Sequence, residues 1–142
     1  MAAPCDGGAG PGSVRPVTLT PGLTATADLT VSATDLAPAH RSGDVPVLAT
    51  PRLVALCEEA TVAAVAAHLG PGETTVGTSV ELEHLAPSTA GEAVTATAVL
   101  EEIAGRRLGF AVTARRGGLL VARGRIERVV VDRARFAARA GA

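Results

Sequence analysis

TPRLVALCEEATVAAVAAHL, residues 50–69, is the stretch on which the fold turns. Thr50-Pro51 opens it as a helix: threonine is a good N-cap, and a proline at the first helical position loses no useful hydrogen bond. Gly70-Pro71-Gly72 closes it, because neither residue type sustains a helix. Between these signals Leu53, Val54, Leu56, Cys57, Ala60, Thr61, Ala64, Val65 and Ala67 cover most of the circumference. Glu58 and Glu59 are the only acids inside. Such a pattern predicts a helix buried on nearly every side.

Downstream the period changes from 3.6 to 2, and four strands are expected. Residues 74–84 place Val76, Thr78, Val80, Leu82 and His84 on one face. Residues 92–103 place Val94, Ala96, Ala98 and Leu100 on one face. Hairpin turns at Gly105-Arg106 and Gly117-Gly118 lead into strands over 107–115 and 119–131, and a short helical tail, DRARFAARA, follows. Upstream, LTATADLTV (23–31) alternates as a further strand. It is joined to the helix by an irregular stretch with two prolines and no period; loops of that length are often lids or binding loops. Residues 1–16 are rich in Gly, Pro and Ala and are expected to be a disordered leader, with a single domain over 17–142. One apolar helix with an antiparallel sheet curled about it is an α+β architecture.

Composition narrows the function classes. The chain has 142 residues, enough for one domain. Aromatic residues make up 1%, so Val, Leu, Ile and Ala must build the core, and a small aliphatic core gains from pairing with a second copy. All 13 basic residues are Arg, which has the look of GC-rich coding. The net charge of −1 with mixed signs argues against a nucleic-acid binder. Cys5 in the leader and Cys57 in the helix make no disulfide framework and fit a reducing, cytoplasmic setting. The N-terminus lacks a signal-peptide pattern, and no apolar run is long enough for a membrane span. No Cys/His cluster has metal spacing, and neither a nucleophile elbow nor a phosphate-binding loop appears.

Four residues carry polar chemistry into apolar surroundings. His84 ends a strand and shares parity with Val80 and Leu82, so it is expected to face the helix, as a satisfied inward imidazole or as a base. Glu58 must be paired, reach a cleft or subunit interface, or mark the helix's wet edge. Thr50 reads first as the N-cap, though a hydroxyl at a helix N-terminus can also act as or hold a nucleophile. In the last strand Arg128 shares a face with Leu120, Ala122, Gly124 and Ile126, so it needs an anion, from an internal carboxylate or from a ligand.

Taken together, VLATPRLVALCEEAT, GPGETTVGTSVELEHLAPSTAGEAV and GRRLGFAVTARRGGLLVARGRIERVVV resemble the fluoroacetyl-CoA thioesterase group of hotdog-fold enzymes, over about Val45 to Phe136. The resemblance implies a hotdog fold and hydrolysis of an acyl-CoA thioester without metal or cofactor. It also implies a homodimer, possibly a tetramer, with sheets paired edge to edge. It assigns catalytic roles to Thr50, Glu58 and His84, carbonyl polarisation to the Gly77 backbone N–H, and a place in the site to Arg128. In that group a phenylalanine precedes a proline in the lid; here Val45 precedes Pro46, so strict fluoroacetyl selectivity is not expected. Two other activities share the fold: acyl or coenzyme A binding without catalysis, which needs no base, and hydration, whose Asp-x-x-x-x-His arrangement is not seen here.

Overall fold

The structure, a computed structural model, describes residues 19–141. The expected disordered leader and Cys5 lie outside the described residues. Five strands form one antiparallel sheet: β1 (Thr24–Thr30), β2 (Glu73–His84), β3 (Ala93–Ala104), β4 (Arg107–Arg116) and β5 (Leu119–Asp132), in the order β1-β3-β4-β5-β2. The helices are α1 (Ala37–His40), α2 (Thr50–Val65) and α3 (Arg133–Arg139). β3, β4 and β5 form the expected hairpin meander. β2 is not next to β3, as simple succession would have it; it crosses to pair with β5 and becomes an edge of the sheet.

The concave face presents Val94, Ala96, Ala98 and Leu100 from β3, Leu108, Phe110 and Val112 from β4, and Ile126 and Val130 from β5. Leu53, Leu56, Cys57, Ala60, Ala64 and Val65 of α2 pack onto it. This is the curled sheet and helix that the hotdog resemblance implies. The helix is not buried on nearly every side, however. It lies chiefly over β1 and β3, and Ala55, Glu59, Val62, Ala63, Ala66 and Ala67 are exposed. Alanine counts as apolar in a pattern but has so little side chain that leaving it bare costs little. The sheet of one chain covers only one side of its helix.

Three irregularities interrupt the ladders, one of them at Leu100/Glu102 in β3, and the other two move residues expected to face inward. A bulge between Gly77 and Ser79 breaks the β2–β5 register. Before it, Thr75 and Gly77 pair with Val130 and Arg128; after it, Val80, Leu82 and His84 pair with Ile126, Gly124 and Ala122. Thr75 and Gly77, rather than Val76 and Thr78, therefore share the inner face with His84. A bulge adds one residue and reverses the alternation beyond it. A second shift, opposite Ala114/Arg115, buries Val121 instead of Leu120.

The segment between β1 and α2 is less irregular than expected. It holds a 3-10 turn (Ala33–Asp35) and α1, and a bridge between Leu36 and Leu48 closes it. Asp35 is buried there and accepts from the Ser32 N–H at 2.8 Å and from Arg52 Nε at 3.0 Å. That pair ties the loop to the first turn of α2.

Candidate active site

The loop positions α2 so that its first turn meets the end of β2. Ala49 is extended (φ −69, ψ 137) and occupies the N-cap position, leaving Thr50 already helical. The cap expected of Thr50 is therefore not made: no side chain caps this helix. Instead Thr50 Oγ1 lies 2.8 Å from His84 Nδ1. Which atom donates follows the ring's tautomer; in the form with Nδ1 unprotonated, the hydroxyl donates to it and the ring proton sits on Nε2. Nε2 is buried and has no hydrogen-bond partner among the described residues. Burial pushes the His84 pKa below its ordinary value, opposed in part by a hydrogen bond to the Ala86 backbone. The imidazole is thereby kept neutral, the form a general base requires.

A cavity of about 360 Å³ opens beside this pair. Ala37, Val45, Val47 and Leu85 give it aliphatic walls, while Thr50, His84, Ser42 and Asp44 line it with polar groups. Val45 is 58% exposed and stands at the rim rather than closing it.

Glu58, Gly77 and Arg128 form a second group. Arg128 is 7% exposed and fully engaged: Nε donates to Thr75 Oγ1 at 2.9 Å, Nη2 to the Thr75 carbonyl at 3.0 Å, and Nη1 to Glu58 Oε2 at 3.2 Å. Its anion is thus an internal carboxylate. Burial lowers the Arg128 pKa, and the Glu58 charge pulls it back up. The Glu58 carboxylate lies over Gly77, where an added Cβ would come within 2.7 Å of Oε2. Only glycine leaves that space, which is why a residue without a side chain stands in mid-strand. Cys57, next in sequence, is inert: burial and then the Glu58 charge push its thiol up to about 11.

The two groups are well separated within one chain. Eight helical residues put Thr50 and Glu58 about 12 Å apart along α2. The strand between Gly77 and His84 spans about 20 Å. Glu58 hydrogen-bonds Arg128 and not the His84 of its own chain.

Reading the sequence missed Asp35, Arg52 and the clamp around Arg116. Arg116 donates to the Pro87 carbonyl at 2.8 Å, and the buried Ser88 accepts the Leu48 N–H at 2.8 Å, holding the approach to Thr50. The Ser-x-x-Asp spacing of Ser32 and Asp35 was a readable signal, since an acid three residues on reaches back to the preceding N–H. Nothing local marks Arg116.

Comparison with known proteins agrees with this fold. Residues 31–134 match the profile of the fluoroacetyl-CoA-specific thioesterase family, FlK. A fluoroacetyl-CoA thioesterase from Streptantibioticus cattleyicolor is 40% identical over 93 residues, 66% of this chain and 67% of that protein. The solved structure of the fluoroacetyl-CoA thioesterase FlK superposes with a TM-score of 0.79 at 33% identity, covering 86% of this chain and 95% of that one. A Thermus thermophilus hypothetical protein, a thioesterase superfamily member, superposes with a TM-score of 0.79 at 31% identity, covering 88% and 91%. With 104 of its 142 residues inside the family profile (31 through 134), this chain belongs to the fluoroacetyl-CoA-specific thioesterase family.

Proposed function

We propose that the chain hydrolyses short- or medium-chain acyl-CoA thioesters to the free acid and coenzyme A, at a site completed by a second copy of itself. The observation that carries this reading is the 2.8 Å contact between Thr50 and a half-buried His84 at the mouth of a partly aliphatic cavity. The Thr50 hydroxyl, or a water it holds, gives its proton to His84 Nδ1 as the oxygen attacks the thioester carbonyl. The Gly77 N–H of the second copy supports the developing oxyanion. The C–S bond then breaks, and the imidazolium returns the proton to the leaving thiolate. Where Thr50 itself attacks, a water repeats the sequence on the acyl-threonine.

The separation of the two groups is the reason for the second copy. β2 is an edge strand, and its inner face carries Val80 at 40% exposure. Antiparallel pairing of two β2 strands about a two-fold near their middle brings the His84 end of one beside the Gly77 end of the other. His84 Nε2–H then meets the partner's Glu58, which orients the ring and stabilises its charged form. Light scattering at micromolar concentration should return a dimer mass; a monomer would refute the shared site.

Among the described residues no helix is long and apolar enough to cross a membrane. A cytoplasmic location is part of this proposal, and the free, buried Cys57 is compatible with it.

The test of activity is an acyl-CoA panel with a thiol reagent, run on the parent and on His84→Ala. Turnover should be lost in the variant with fold and mass unchanged; equal rates would leave a binding protein. Selectivity should be broad. An open aliphatic pocket discriminates by about 1–3 kcal/mol at best, so fluoroacetyl-CoA should be preferred to acetyl-CoA by well under about a thousandfold. A larger ratio of kcat/KM would show that Val45 and its loop close more tightly than their exposure implies.

A further inference from the structure

We propose that a basic groove at the far end of the sheet binds the phosphorylated nucleotide end of coenzyme A. This rests on the acyl-CoA reading above and assigns it a binding subsite remote from the reacting carbonyl. The groove, about 260 Å³, lies between the end of β5, α3 and the β3–β4 turn. Val130 and Val131 line it together with Arg106, Arg135, Arg139 and Phe136.

Arg52, Arg116, Arg123, Arg125 and Arg128 are each paired with a carboxylate. Arg135 and Arg139, like Arg41, Arg107, Arg115 and Arg133, have no side-chain partner among the described residues; they are set apart by lining one groove with Arg106, and both are exposed. Arg106 keeps a long contact of 3.6 Å to Glu73 and donates to the Val130 carbonyl at 3.1 Å, with its side chain 62% exposed. Asp132 is the one acid lining the groove, and its carboxylate accepts the Arg135 backbone N–H at 2.9 Å. The balance is positive, and the guanidinium groups retain free donors. Guanidinium forks match phosphate oxygens in charge and geometry.

Phe136 supplies the second element. Only Phe110 and Phe136 are aromatic in this chain; Phe110 is fully buried, whereas Phe136 is 37% exposed beside these arginines. An aromatic face next to phosphate-binding groups suits a purine ring, which stacks on it. Coenzyme A carries a purine, a diphosphate and a 3′-phosphate in one molecule. Location agrees: Val130 stands two residues beyond Arg128 on β5, about 7 Å along the strand, and pairs with Thr75, which Arg128 holds. The Arg133 N–H donates to the Gly72 carbonyl at 2.8 Å, fixing the start of α3 against the start of β2. A thioester at Gly77 and a nucleotide in this groove lie along one path, with the pantetheine arm between them.

The experiment compares the parent with Arg135→Ala/Arg139→Ala, and with Arg139→Glu alone. Both positions are exposed, and the melting temperature checks the fold of each variant. Calorimetric titration with free coenzyme A should show weaker binding, about tenfold for each charge-assisted contact removed. In kinetics, KM for butyryl-CoA should rise with kcat unchanged, the effect should shrink with butyryl-3′-dephospho-CoA, and the N-acetylcysteamine thioester should not respond. Equal binding of coenzyme A by parent and variants, or equal kinetic changes for all three thioesters, would overturn the groove. Absence of turnover by a parent that still binds coenzyme A through these arginines would instead overturn the hydrolase reading and leave the groove standing. Failure of the parent to bind coenzyme A would overturn the groove as well.

Discussion

Gly77→Ala perturbs the Glu58–Arg128 group without deleting any member of it. The new Cβ would stand 2.7 Å from Glu58 Oε2 and 3.3 Å from Arg128 Nη1. Ordinary contact begins near about 3.5 Å, so the carboxylate must retreat by roughly 0.8 Å. It is the far end of a side chain that is 36% exposed, and it can move. The stability at risk is the 3.2 Å Glu58–Arg128 bond, which solvent already screens in part. A loss of about 1 kcal/mol, or about 4 °C in melting temperature, follows. Catalysis should suffer far more. A misplacement near 1 Å in a catalytic constellation costs about a hundredfold, and in the proposed shared site Glu58 is the group offered to the partner's imidazole. The assay is kcat/KM on butyryl-CoA beside a calorimetric melt, with light scattering to check that the variant keeps the parent's mass. Activity within about threefold of the parent would refute the role given to Glu58. A fall in melting temperature beyond about 10 °C would show that backbone, not the carboxylate, absorbs the clash.

Gly124→Ala should behave oppositely, because its Cβ would fall inside the contact distance of the Glu81 carbonyl oxygen and crowd the Leu82 Cα. Both are backbone atoms, so a loss of about 3 kcal/mol or more is expected in chemical denaturation, and a parent-like midpoint would contradict this packing. The acid limb of kcat/KM should lie below the ordinary histidine value near 6.5, since burial depresses His84 and the neutral base persists to lower pH. The linkage has the same sign: the unfolded chain binds that proton first, so stability declines as pH falls from about 6.5 toward the folded pKa, and His84→Gln should flatten the decline. Asp35→Asn should loosen the loop. Burial alone would raise the Asp35 pKa, but the Ser32 and Arg52 hydrogen bonds outweigh it and hold it below the usual value. Its stabilisation is therefore present above about 3.8 and lost as pH falls through the lower folded pKa. Its removal should raise protease sensitivity in the loop between β1 and α2 at neutral pH; an unchanged digestion pattern would count against the tie to Arg52.

What the sequence alone determined was local in origin. A 3.6-residue period bounded by Thr50-Pro51 and Gly70-Pro71 defines the helix. A period of two, cut by glycine turns, defines the strands, whose ends agree with the structure to within a residue or so. The inward placement of His84 and Arg128 follows from the same alternation, and so does the need for an anion near Arg128. What only the tertiary structure decided depends on residues far apart in the chain. The crossing of β2 to β5 makes it an edge, and the bulge after Gly77 puts that glycine and His84 on one face. Thr50 meets a histidine 34 positions away instead of capping its helix. Arg128 reaches Glu58 across 70 positions, which separates that carboxylate from the imidazole of its own chain. Periodicity reports which face of an element is apolar, because each residue answers to its neighbours' backbone geometry. It carries no term for which elements lie side by side, and the distances that set this site are all of that second kind.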